Sequence, residues 1–338
     1  MKSSPNFFKA MLATVALIVS FSCSNDDNGG PVIIEPQQNI VEIALGTPDL
    51  AILVSALQAA DGDLVNVLQG DGPFTVLAPT NAAFTAFLAA NNFASLDDVP
   101  TDVLAEILLN HVISADITSA DLAASGAGYA STNASGAGGN NISIYFNTAN
   151  GVRFNNVAAV TDGGADIDAS NGTIHIVDAV IDIPTVVTFA AADPNFTTLV
   201  DALTILTPDT DFVNILSRTE GNNADGINPE FTVFAPTNDA FDALGAIPGE
   251  EVLTQVLLHH VVSENNITSG DLNPNGDTTA TTLEGDDIVI TLPGTDPNIA
   301  DVTDGEGNPG KGIIAVDVQA GNGVIHVLDA VLLPDTTN

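Results

Sequence analysis

Phe74-Thr75-Val76-Leu77-Ala78-Pro79-Thr80-Asn81 returns 157 residues later as Phe231-Thr232-Val233-Phe234-Ala235-Pro236-Thr237-Asn238, with Leu77 changed to Phe234. A second stretch behaves alike. Asn171-Gly172-Thr173-Ile174-His175-Ile176-Val177-Asp178-Ala179-Val180 returns 151 residues later as Asn322-Gly323-Val324-Ile325-His326-Val327-Leu328-Asp329-Ala330-Val331. Order is kept and spacing nearly so, which identifies one module written twice, each copy the size of an ordinary domain.

Outward from the octapeptide, each copy reads in the same order. Leu50, Leu53, Val54 and Leu57 recur at helical spacing, as do Phe196, Leu199, Val200 and Leu203. The octapeptide itself alternates like a strand, with Phe and Val on one face, and Ala-Pro is expected to stop it. Thr80 or Asn81, and Thr237 or Asn238, are placed to cap the next helix, which carries Phe84 and Phe87 or Phe241 and Leu244. A further helix is expected over residues 101–111 and 250–260, ending in His111 and His260. Short strands follow, among them residues 142–146, 288–292 and 313–316, and closing strands are expected over 173–181 and 324–333. Helices before strands in each copy make an α+β fold.

The two blocks, with a histidine-ending helix between them, resemble the signature of the fasciclin (FAS1) domain. The resemblance covers residues 39–184 and 185–334. It implies two tandem fasciclin-like domains, each a wedge-like β-sandwich with packed helices, and a role in cell adhesion or extracellular binding. Asn110 and His259 stand where that family often has a tyrosine before the histidine. Animal members use that element for integrin recognition, so no such ligand carries over.

Composition limits the partners. The chain has 43 acidic residues against 5 Lys and Arg, a net charge of −38. Phosphate binding needs cationic side chains, so nucleic acid is excluded as a partner. Apolar residues make up 45%, enough for real cores, and aromatics only 5%, so aliphatic side chains must fill them.

The N-terminus reads as an address. Lys2 and Lys9 precede an apolar run ending near Phe21, too short to span a membrane, and residues 1–22 are read as a signal peptide. The sole cysteine, Cys23, follows it. Ser20-Phe21-Ser22-Cys23 resembles the bacterial lipoprotein signal, which implies lipidation of Cys23. Ser24-Asn25-Asp26-Asp27 resembles the acidic tether of surface-exported bacterial lipoproteins, and residues 23–38 read as lipidated cysteine plus flexible linker. These resemblances imply an outer-membrane lipoprotein facing the cell surface, with a periplasm-facing anchor as the alternative.

No catalytic, cofactor or metal site is assigned. His111 pairs with His260 and His175 with His326 across the repeat, and scaffold roles are expected for all four. Asp178 lies on the strand face opposite His175, so no dyad forms there. Gly305–Lys311 lacks the Ser or Thr that a phosphate loop needs, and a strand follows it, so it is read as a turn. Asp166–Gly172 misplaces the glycine of a calcium loop, and Val177 replaces its bidentate Glu. The acidic loops at 162–168 and 301–306 keep calcium as an alternative cofactor. The expectation is a non-catalytic adhesion or matrix-binding protein, whose partner is a matrix component, glycan or surface protein. A calcium- or polysaccharide-binding envelope protein is the alternative.

Overall fold

The computed structural model describes residues 37–336. The signal peptide, Cys23 and the linker as far as residue 36 lie outside the described residues. In the first copy, helices α1 (Ile40–Gly46), α2 (Ala51–Ala59) and α3 (Leu64–Leu68) lead to strand β1 (Phe74–Pro79), then α4 (Asn81–Ala90) and α5 (Thr101–Leu109). After β2 (Val112–Ile113) and α6 (Ser119–Ser125) come β3 (Ala127–Ser135), β4 (Asn141–Asn147), β5 (Arg153–Phe154), β6 (Ala158–Ala159), β7 (Ile167–Ala169) and β8 (Gly172–Val177). The second copy opens with α7 (Val186–Ala192), α8 (Thr197–Thr204), α9 (Phe212–Leu216), β9 (Phe231–Pro236), α10 (Asn238–Leu244) and α11 (Glu250–Leu258). It closes with β10 (Val261–Val262), β11 (Asp277–Thr281), β12 (Asp287–Thr291), β13 (Ala300–Thr303), β14 (Lys311–Ala320) and β15 (Gly323–Leu328). Among the described residues no single helix is long and apolar enough to cross a membrane.

The octapeptide strand is central, and it is buried on both faces. β1 pairs antiparallel with β2 and parallel with β8, and β9 does the same with β10 and β15. Val76 and Ala78 pack into the helical core with Leu53, Phe84 and Leu104, while Leu77 points into a second core with Ile144 and Phe154. Phe74 and Val76 share one face as expected, and the other face is covered as well. The strand runs between a helix layer and a strand layer, and each needs apolar partners. The one changed position is on the strand side, where Phe234 packs with Ile288 and Ile290. The strand stops at Pro79 and Pro236, as expected, each being its last paired residue, against Val177 and Leu328.

Thr80 and Thr237 are the helix caps, each accepting the N–H three residues on, from Ala83 and Ala240. Asn81 and Asn238 do a different job. Asn81 takes the Ile52 N–H and donates to Pro48 O, and Asn238 takes the Thr198 N–H and donates to Pro194 O. They pin the start of α2 or α8 to the strand's end. Thr237→Ala removes one cap and is expected to lower stability by about 1 kcal/mol, read from urea unfolding. A shift as large as that of a core deletion would show that the hydroxyl does more than cap.

The closing strands are shorter than the sequence pattern suggests. β8 ends at Val177 and β15 at Leu328, because Asp178 and Asp329 turn aside to accept the Ala159 and Gly312 N–H groups. Sheet architecture differs between copies. The first has two four-stranded sheets, β2-β1-β8-β7 and β3-β4-β5-β6. The second has one seven-stranded sheet, β10-β9-β15-β14-β13-β12-β11, because the long β14 serves both layers through two register shifts against β15.

Gln37–Asn338 forms one compact unit. Tyr145, on β4 of the first copy, lies in the core of the second with Phe189, Val318 and Val327. Gln319 donates its backbone N–H to Ser143 Oγ, and Gly138 donates to Glu230 Oε1. At Gly136 an added Cβ would sit 2.4 Å from Ala320 O, so the two backbones meet where only glycine fits.

Candidate functional site

His111 and His260 follow the ends of α5 and α11 and are 2 % and 3 % exposed. Nδ1 of His111 lies 2.7 Å from Ile107 O, and its Nε2 accepts the Ile181 N–H at 2.9 Å. His260 repeats this with Val256 O and the Leu332 N–H. A backbone N–H can only donate, so Nε2 is bare and Nδ1 carries the proton. Each ring fastens a helix end to the segment after the closing strand. Burial lowers both pKa values to about 4, against the smaller opposing effect of the carbonyl bond. Neither ring has a lone pair left for a metal or a substrate.

His175 and His326 are buried in β8 and β15. Each sets Nε2 against a carbonyl, Ile117 O at 2.9 Å and Ile267 O at 2.8 Å. Nδ1 of His175 accepts the Asp166 N–H and lies 4.0 Å from that carboxylate, while Nδ1 of His326 has no hydrogen-bond partner. Asp178 stays apart from His175, as the strand period requires, but Asp166 comes near it from across the β7–β8 turn. Asp166 and Asp317 in turn hold the N–H and hydroxyl of Ser119 and Ser269. This Ser–Asp–His array recurs in both copies, yet the hydroxyl meets the carboxylate and not the imidazole. Proton abstraction from serine needs the opposite order. The array anchors the chain ahead of β3 or β11 onto the sheet.

One histidine has no counterpart. His259 is fully buried beside Glu284, with Nδ1 at 3.5 Å from Glu284 Oε2 and 3.2 Å from Thr282 Oγ1. His259, Glu284 and Asp286 are three groups close enough to share a cation. The proton placement opposes it. Nε2 accepts the Gly305 N–H at 3.0 Å, so the proton is on Nδ1 and faces the carboxylates as a donor. Burial lowers the His259 pKa, and Glu284, Asp286 and Asp304 partly oppose that shift. In the first copy Asn110 occupies the place, donating to Ile181 O and Asp182 O.

Most carboxylates of the acidic loops are used internally. Asp168 accepts from Gln37, Asp301 from Thr295 and Asn298, and Asp304 from Asn308 and the Leu333 N–H. Asp166–Gly172 contains β7 and the turn into β8, so it is a hairpin. Gly305–Gly310 is the turn between β13 and β14.

A concave feature with mixed chemistry lies between the copies. A cleft of about 470 Å³ is lined by Tyr129 and Tyr145 of the first copy, and by Asp193, Asn195, Asp239 and Ile314 of the second. Tyr129 and Tyr145 are the only tyrosines of the chain, with ring centroids 5.1 Å apart, and Phe189 meets Tyr129 edge-on at 5.7 Å. Tyr129 donates its hydroxyl to Asp193 Oδ2 at 3.0 Å. Burial and the Asp193 carboxylate push the phenol pKa well above its usual value, so it stays a donor. A void in the second copy's core, near Leu199, Leu257 and Ile325, is apolar and only about 30 Å³.

The fasciclin domain profile matches residues 48–184 and 194–334. The chain belongs to the fasciclin domain family. Protein sll1483 of Synechocystis is 40% identical over 147 residues, covering 42% of this chain and 72% of that protein. Human periostin is 28% identical over 278 residues, 80% of this chain but 29% of periostin. The cell surface glycolipoprotein MPB83 of Mycobacterium bovis is 30% identical over 151 residues, 44% of this chain and 60% of that protein. Among solved structures, a FAS1 domain pair from the insect cell adhesion molecule fasciclin I covers 84% of this chain and 97% of its own, at 19% identity and a TM-score of 0.48. One relative of this chain, MPB83, is thus named for the cell surface.

The paired histidines of the fasciclin modules are where the sequence puts them, each set against a backbone carbonyl through a ring nitrogen. Two features escaped sequence reasoning. The His259 cluster joins residues 25 to 27 apart through a hairpin, with no motif spacing to mark it. The cleft joins residues from both modules, and its one sequence signal is that both tyrosines of the chain fall in the first copy.

Proposed function

We propose that this chain is a non-catalytic adhesion or matrix-binding protein, lipid-anchored through Cys23 in an outer membrane and facing the cell exterior. The observation that carries the reading is that fasciclin sequence accounts for residues 48–184 and 194–334, nearly all of the described chain. The naming of MPB83 as a cell surface glycolipoprotein supports the location. The locked histidine tautomers and the serine hydroxyls held by aspartate support a role without catalysis. Calcium is the weaker alternative, since Asp166, Asp168, Asp301, Asp304 and Glu306 already accept the protein's own donors. The test is radiolabelled palmitate incorporation and protease shaving of intact cells, followed by a glycan and matrix-protein screen on full-length protein. Label lost in Cys23→Ser, cleavage from outside and a saturable ligand are expected. Label retained in Cys23→Ser would overturn the anchor, and protection from protease would turn the protein toward the periplasm.

A further inference from the structure

We propose that the cleft between the two copies receives a lysine or arginine side chain of a partner polypeptide, a reading that rests on the adhesive role above. Acceptors are in excess there. Asp193 is 6 % exposed, and its carboxylate takes the Tyr129 hydroxyl and the Asn195 N–H. A carboxylate can accept about four hydrogen bonds. Asp239 adds an exposed second carboxylate, and no Lys or Arg lines the cleft. A buried carboxylate without a cation is unfavourable, so a ligand that brings positive charge and several N–H donors gains most.

The other wall is apolar. Ile314 is 44 % exposed, with Ala315 and Val327 beside it. An ionic tip on a run of methylenes matches that division, and Lys and Arg have this shape. A neutral sugar has the Tyr145 hydroxyl and the Asn195 amide to draw on, but it brings no charge to offset the two carboxylates. An anionic ligand meets two carboxylates at the site and a net charge of −38 around it, a field that draws cations in.

The test uses full-length protein in neutral detergent and a fluorescent octapeptide alternating glycine and arginine, followed by polarisation. Asp193→Asn and Asp239→Asn are each expected to weaken binding about tenfold or more. Asp97→Asn, an exposed carboxylate in the helical half of the first copy, is expected to leave it unchanged. Asp239 is on the surface, so its variant carries the test whatever Asp193→Asn does to folding. Wild-type affinity in Asp239→Asn, or an equal loss in Asp97→Asn, would overturn the proposal in favour of bulk charge. Displacement of the peptide by xylohexaose would overturn it in favour of a glycan. A protein that holds cells to a surface with cleft variants as good as wild type defeats the cleft alone. One that binds the peptide at the cleft but holds cells to nothing defeats the adhesive reading alone.

Discussion

Asn322→Ala is expected to lower stability by about 3–5 kcal/mol, one of the largest losses available at a single polar residue. Asn322 is 2 % exposed and its amide makes three bonds to backbone. Its oxygen accepts the Val186 N–H at 2.9 Å, and its nitrogen donates to Leu216 O and Arg218 O at 2.8 and 2.9 Å. Alanine leaves those three groups unpaired in a site that water reaches poorly, and each unpaired group costs about 1–3 kcal/mol. Asn171 repeats the arrangement, with Ile40 N–H, Leu68 O and Gly70 O. The glycine that follows is equally constrained: an added Cβ on Gly323 would lie 2.2 Å from Phe231 O, inside the parallel pairing of β15 with β9. Urea unfolding of Asn322→Ala and Asn171→Ala should give matching losses. A loss below about 1 kcal/mol in either would mean that water replaces the amide without penalty.

Acid should destabilise the fold well before its carboxylates titrate. His111 and His260 have folded pKa values of about 4 against 6.5 for a free ring, so the unfolded chain binds their protons first. Their contribution is complete above pH 6.5 and is lost as pH falls through about 4. At pH 4 the loss is about 3 kcal/mol for each ring, from 1.36 kcal/mol per pKa unit. The structural reason is the bare Nε2. A second ring proton would face the Ile181 or Leu332 N–H, donor against donor. Exposed carboxylates such as Asp121 and Asp271, held below their usual pKa by bonds from threonine, lose their contribution only at lower pH. Urea midpoints followed from pH 7 to pH 4 in high salt, which screens the acidic surface, isolate the histidine window. Stability that is flat across it would sink the tautomer assignment.

The duplication, the α+β order and the helix caps were legible because each rests on neighbours in sequence. Thr80 and Ala83 are three residues apart, and the apolar spacing of α2 and α5 is local. Burial of both faces of β1 was not legible, since alternation cannot show that a second layer covers the other side. Nor was the role of Asn171 and Asn322. Their partners lie more than a hundred residues back, at Leu68 and Leu216, so an Asn-Gly pair that reads as a turn is in fact a tie between helices and sheet. His259 was noticed as a departure from the family pattern, but its surroundings come from the Thr282–Asp286 hairpin and Gly305, which only folding brings to it. The cleft was invisible for the same reason on a larger scale, since its wall draws on both copies.

Duplicated modules usually keep an evolutionary freedom: either can be lost, multiplied or shuffled into another gene, because each is complete alone. Tyr145 withdraws that freedom. By placing an aromatic ring of the first copy inside the core of the second, the chain has made its two halves obligate relatives. A lineage that deleted the first copy would leave a hole in the other, and one that inserted a third between them would part the ring from its socket. The two copies are therefore expected to fold and unfold together as a single unit.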